Sequence, residues 1–166
     1  MYSDPTNFLN AYGKEMAITS NVLGALTDKS LAFEKAPGHG TLGDIAWIIA
    51  AGPSYMLNQV GFKIDEVPER PGKLTVATIR DTYNKLASQV TEQVVKKSKA
   101  DLEKVYRVWN QYDWPAGEQL SALIHHEIHH RGQLTVLMRQ VGLPVPRIYG
   151  PNYEDTLSQK AGHSAL

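Results

Sequence analysis

Apolar residues recur along this chain with the period of a helix. Phe8, Leu9, Tyr12, Met16, Val22, Leu23 and Leu26 fall on one helical face, and Asp4-Pro5 ahead of them pairs an N-cap residue with the residue best tolerated at the first helical position. A first helix is therefore expected from there to about Thr27. Ala36 to Gly40, with one proline and two glycines, reads as a loop, after which Thr41 and Asp44 have the spacing of a variant capping box. Leu42, Ile45, Ile48, Ile49, Tyr55 and Met56 mark the second helix, which Gly52-Pro53 should bend or interrupt by removing a backbone donor.

Gly61 to Gly72 holds Pro68 and Pro71 among charges and reads as a crossover loop. Val76, Ile79, Tyr83, Leu86, Val90 and Val94 then step by three or four, predicting an amphipathic third helix that starts near Thr75. Asp101 to Tyr112 suits either a short strand or an irregular connection and is read as an extended loop. From Glu118 to about Val141 a last long helix is expected, ended by Gly142 and Pro144. The tail from Leu143 onward is rich in proline and glycine and should be irregular, with one helical turn around Tyr153 to Leu157.

Four one-sided helices can bury their apolar faces only against one another. The pattern thus predicts an all-α four-helix bundle with a long crossover loop and an irregular C-terminal tail, a single domain over residues 1–166.

Composition narrows the partners. Lys plus Arg and Asp plus Glu number 17 each, so the net charge is zero and no basic stripe exists to neutralise phosphates; nucleic-acid binding is disfavoured. No apolar run approaches the roughly 18 residues of a membrane span and the N-terminus lacks a signal-like pattern, which makes no membrane and a cytoplasmic location the expectation. Cysteine is absent, which removes thiolate ligands and cysteine nucleophiles.

The chemistry concentrates in the last helix. Four of the six histidines lie in Ile124-His125-His126-Glu127-Ile128-His129-His130-Arg131. Residues four apart share a helical face, so either His125 with His129 or His126 with His130 could converge on one divalent ion. On a wheel started at Leu120 the apolar residues centre near about 330°, His126 and His130 fall at about 240° and 280°, and His125 and His129 lie on the far side. The inward pair, His126 and His130, is the candidate metal or acid–base pair; packed, hydrogen-bonded polar residues are the plainer reading.

His126-Glu127-Ile128-His129-His130 also fits the H-E-x-x-H pattern of zinc peptidases, where the glutamate activates a metal-bound water. Gln133 and Val136 stand where a metzincin carries glycine and histidine, and no strand edge is evident to hold a peptide, so this is the least favoured reading.

The run from His126 to Leu134, a helix ending at Gly142, and Pro146-Arg147-Ile148-Tyr149-Gly150-Pro151 together resemble the DinB-like proteins. Thr41-Leu42-Gly43-Asp44-Ile45-Ala46-Trp47 looks like the start of their second helix. The resemblance implies a bacterial four-helix bundle, commonly a homodimer, with a divalent zinc, nickel or iron held by three histidines, one from the second helix and two from the H-x-x-x-H pair, here His126 and His130. It also implies relatives among bacillithiol- and mycothiol-dependent transferases. This chain departs at the first ligand, because Ala46-Trp47 is followed by Ile48, which cannot bind a metal. A metal would then be bound weakly, or only with help from His39, a tail carboxylate such as Glu154 or Asp155, or waters.

Two functions follow. One is a divalent-metal-dependent enzyme resembling the thiol transferases, using a low-molecular-weight thiol, with Trp47, Ile48, Arg131 and Tyr149 around a pocket for a small-molecule ligand. Arg131 could there hold an anionic group, or simply bridge at the bundle's end. The other is a non-catalytic ligand-binding or stress-response protein whose metal site is degenerate at Ile48.

Overall fold

A computed structural model of the chain describes residues 1–67 and 69–157. Its long helices are α1 (Pro5–Gly24), α2 (Leu42–Leu57), α3 (Val76–Val94) and α5 (Ala116–Gln140); α4 (Lys99–Glu103) is a single turn and a half, and β1 (Val105–Val108) and β2 (Tyr112–Pro115) form a small hairpin. The fold is the expected helical bundle. No helix among the described residues is long and apolar enough to cross a membrane.

Local chemistry sets the helix starts. The Asp4 carboxylate accepts from the Thr6 and Asn7 amides with Pro5 at the first position, Thr41 and Asp44 form a reciprocal capping box, and the Thr75 hydroxyl accepts from the Thr78 amide. Gly142, at φ 75°, ends α5 in the left-handed conformation.

α3 and α5 each pack against both α1 and α2. The links from α1 to α2 and from α3 to α5 therefore cross diagonally, while the loop after α2 joins two neighbours instead of spanning the bundle. The core between them is filled by Phe8, Tyr12 and Leu23 of α1, Ile45, Ile49 and Met56 of α2, Ile79, Leu86 and Val90 of α3, and Leu120, Leu123 and Met138 of α5, all essentially buried.

Three further expectations change. Of the bend or interruption expected at Pro53, the interruption does not occur: α2 continues through it, because a buried proline loses one backbone hydrogen bond while the flanking turns stay packed on α3 and α5. The segment read as an extended loop from Asp101 to Tyr112 is instead α4 followed by a hairpin. Ser98 and Asp101 make a second capping box, and β1 pairs with β2 antiparallel, Val105 opposite Pro115 and Val108 opposite Tyr112. The turn carries Trp109 and Asn110 at positive φ (51° and 55°) with no glycine to announce it. Finally, α1 stops at Gly24, where the Thr27 and Ser30 side chains take over the chain's polar groups in a tight turn.

Two connections frame the site. The Asn58 side chain bonds both the amide and the carbonyl of Ile64, and Gln89 and Gln93 of α3 hold Asp65 and Lys63, so the 61–67 segment is pinned beside the end of α2. The tail folds back with Val145 buried, and a helical turn occupies 153–157 as expected.

Candidate functional site

α5 divides its polar residues among three faces. His125 and His129 are exposed, His126 and His130 are half-buried, and Glu127 and Arg131 are buried. The histidine pairs thus sort as the wheel indicates. The His126 and His130 rings stand edge to face with centroids 4.5 Å apart.

His126 reaches across to α2. Its Nε2 lies 3.3 Å from the Ile48 carbonyl oxygen, an acceptor, so the neutral ring carries its proton on Nε2 and leaves Nδ1 as the free base. This approach needs Gly52, since a Cβ there would sit 2.9 Å from Nε2. Burial lowers the His126 pKa below the ordinary imidazole value; the Ile48 hydrogen bond opposes the shift and the neighbouring His130 and His129 add to it.

His130 is tied within its own helix. Its Nδ1 lies 2.9 Å from Gln133 Oε1, and the Gln133 amide nitrogen lies 3.2 Å from His129 Nε2. With the amide oriented this way His130 donates from Nδ1 and keeps a free lone pair on Nε2. Burial lowers its pKa too, against the Gln133 hydrogen bond and with help from His129 and Lys35.

His126 forms one wall of an open cleft of about 590 Å³ between α2 and the pinned 61–67 segment. Trp47, Ile48, Ala51, Gly52, Tyr55 and Val67 supply a mostly apolar lining, with Ser54, Asn58 and Glu66 as the other polar members. Tyr55 is steadied from outside by Trp109, at 6.3 Å and 25° between planes, and the Trp109 amide in turn donates to Gln59 Oε1. The hairpin missed in the sequence is thus a buttress for the cleft.

Of the residues expected around a pocket, Trp47 and Ile48 meet His126 there. Arg131 and Tyr149 do not line the cleft. Arg131 is 2 % exposed and points the other way, toward α1: it donates to Glu15 Oε2 at 2.5 Å, to Thr19 Oγ1 at 2.8 Å and to the Tyr149 hydroxyl at 2.5 Å, while that hydroxyl donates to Glu15. The side chain that might have received an anion is saturated by the protein's own groups, so the bridging reading is the one realised.

Glu127 is the residue that sequence reasoning passed over as part of a motif. Its Oε2 accepts from the Tyr83 hydroxyl at 2.9 Å and from Thr19 at 3.2 Å. Tyr12 faces the same carboxylate, although neither its hydroxyl nor Glu127 Oε1 completes a well-formed hydrogen bond among the described residues. Burial raises Glu127 to about 7, against the pull of Tyr83, Thr19 and Arg131. The zinc-peptidase reading fails here: the glutamate of H-E-x-x-H faces α1 and α3, where it is sealed from the histidine cleft.

The profile of the DinB family matches residues 1–161. The chain belongs to the DinB family. It is 36% identical over 159 residues to a Bacillus subtilis (strain 168) protein described as the uncharacterized protein YrdA, each covered over 93% of its length. Among solved structures, a DinB-like protein of Bacillus cereus superposes with a TM-score of 0.80 at 36% identity, covering 90% of this chain and 100% of the other. A second, the DinB-like protein YjoA of Bacillus subtilis, has a TM-score of 0.67 at 12% identity over 88% of this chain and 99% of its own, a likeness of fold alone.

A three-histidine centre of the kind the DinB resemblance implies does not fit these residues. Position 48 offers an isoleucine side chain and a backbone carbonyl that already engages His126 Nε2. Among the described residues no three His, Cys, Asp or Glu side chains converge. His39 is exposed in its loop, Glu154 is bound to Arg139 and the Val145 amide, and Asp155 is bound to Arg147 and the Asn152 amide, so the sequence's substitutes are spent elsewhere. Two imidazoles alone leave a tetrahedral or octahedral ion short of protein donors.

Proposed function

We propose that this DinB-family protein binds a small, largely apolar organic molecule in the cleft between α2 and the 61–67 segment, with neutral His126 as the polar group that orients it. The observation that carries this reading is the half-buried His126 imidazole on the wall of an otherwise apolar cleft of about 590 Å³, backed by an isoleucine where a third histidine would have to stand. A neutral imidazole with a fixed Nε2–H offers one acceptor nitrogen, which suits recognition of a single donor on the ligand.

Pocket size and lining support a ligand of drug-like or smaller dimensions, and the open mouth supports micromolar to millimolar affinity for fragments. The test is titration of untagged protein with indole, followed through the Ala51 methyl and His126 ring resonances. Saturable shifts at both probes in the parent protein, with the His126 ring shift lost in Ala51→Trp, which fills the cleft, are the expected result. The absence of saturation in the parent protein would sink the reading.

The second reading, a divalent-metal-dependent thiol transferase, draws support from the 4.5 Å approach of His126 and His130 on one face of α5. Metal content decides between them. Stoichiometric zinc, nickel or iron in untagged protein, lost in His126→Ala, favours the transferase; its absence together with indole binding favours the ligand-binding protein.

A further inference from the structure

Among the described residues the cleft carries one formal charge. Glu66 lies at its rim, exposed, and among the described residues its carboxylate makes neither an ion pair nor a hydrogen bond. Its neighbour Asp65, by contrast, is paired with Lys85 at 2.8 Å, and its backbone amide donates to Gln89 Oε1. Among the described residues no lysine or arginine lines the cleft, so no side chain described there would receive an anion. The walls add two aromatic faces: Trp47, almost buried, and Tyr55, which is 67% exposed yet kept in place by Trp109 behind it. An unpaired carboxylate beside aromatic rings in a mostly apolar cleft favours positive charge through both ion pairing and the negative faces of the rings.

We infer that the molecule bound in this cleft is an organic cation, an amine or quaternary ammonium group on an apolar body, with the charge between Glu66 and Tyr55 and the body against Trp47, Ile48, Ala51 and Val67. The inference rests on the ligand-binding reading above and gives it a substrate class. Neutral His126 fits this assignment, because a charged imidazole in the same wall would repel the ligand, and its burial holds it in the neutral form.

The experiment compares three probes that share one body: benzylammonium, benzyl alcohol and benzoate, each titrated at pH 7.5 into the untagged full chain and read at the Ala51 methyl and His126 ring. The cation is expected to bind about threefold to tenfold tighter than the alcohol, and benzoate weakest. Glu66→Gln, on an exposed loop and therefore without consequence for folding, should erase the preference for the cation while leaving the alcohol's affinity unchanged. Equal affinities for cation and alcohol, or a preference that survives Glu66→Gln, overturn the cation assignment and leave the ligand-binding cleft standing. No saturable shift with any of the three overturns both.

Discussion

The His126 ring rests edge-on against Gly52, whose missing Cβ is the space that lets Nε2 reach the Ile48 carbonyl. Gly52→Ala should therefore expel the ring without unfolding the helix, since alanine gains about 1 kcal/mol of helix propensity and the atoms it strikes are the end of a side chain. Burial is the main cause of the lowered His126 pKa. The variant should move it up toward the ordinary imidazole value, as histidine NMR titration can follow. An unchanged titration would mean that Gly52 does not position the ring.

Glu127 gives stability a pH dependence of known sign. Its folded pKa, about 7, lies above the unfolded value, so the folded state holds its proton more tightly, and the contribution is complete below about pH 4.5 and lost as pH rises to about 7, on the order of 3 kcal/mol. His126 and His130, with lowered folded pKa values, act in the opposite direction, destabilising the fold as pH falls below about 6.5. Subtracting the urea-unfolding profile of Glu127→Gln from that of the parent isolates the first effect: the difference should fall from pH 4.5 to 7. A flat difference would show that Glu127 is not strained by burial.

Arg131 and Glu15 form the most enclosed ion pair described, with side chains 2% and 14% exposed. Removing the cation leaves a half-sequestered carboxylate, so Arg131→Met should cost about 3 kcal/mol by urea unfolding. Tyr149→Phe removes a hydroxyl bonded to both partners and should cost about 1 kcal/mol, with faster proteolysis of the 143–157 segment that it tethers. Both variants should leave indole binding intact, because neither residue lines the cleft. A loss of binding in Tyr149→Phe would place the tail in the site after all.

Ile48 is 40% exposed beside His126, so Ile48→His adds an imidazole next to the existing pair. Zinc affinity, measured by competition with a chromophoric chelator, should rise at least about tenfold, the scale of one added protein ligand. An affinity equal to that of the parent protein would show that position 48 is out of reach of His126 and His130.

Much of this was legible in the chain. The period of α3 and the capping chemistry at Asp4, Thr41 and Thr75 are local, and so was the sorting of His126 and His130 from His125 and His129, because a helix wheel is fixed by residue spacing alone. Glu127 was passed over, although the same wheel holds the signal that could have found it: it falls at about 340°, the centre of the apolar arc. A carboxylate there demands buried partners, but Thr19, Tyr12 and Tyr83 come from other helices, and nothing in their spacing announces the meeting. The hairpin stayed hidden because its turn uses Trp109 and Asn110 at positive φ, a conformation held by the packing of Trp109 on Tyr55 and its amide on Gln59.

The sequence by itself determined which segments coil, where they start, and which side of α5 each histidine takes, since these depend on contacts within a few residues. Only the tertiary structure decided that α1 and α2 lie on a diagonal, that Arg131 turns to Glu15 and away from the cleft, and that Ile48 meets His126 through its backbone. Those outcomes depend on how four apolar faces share one core, and that balance of packing and buried hydrogen bonds is struck between residues far apart in the chain.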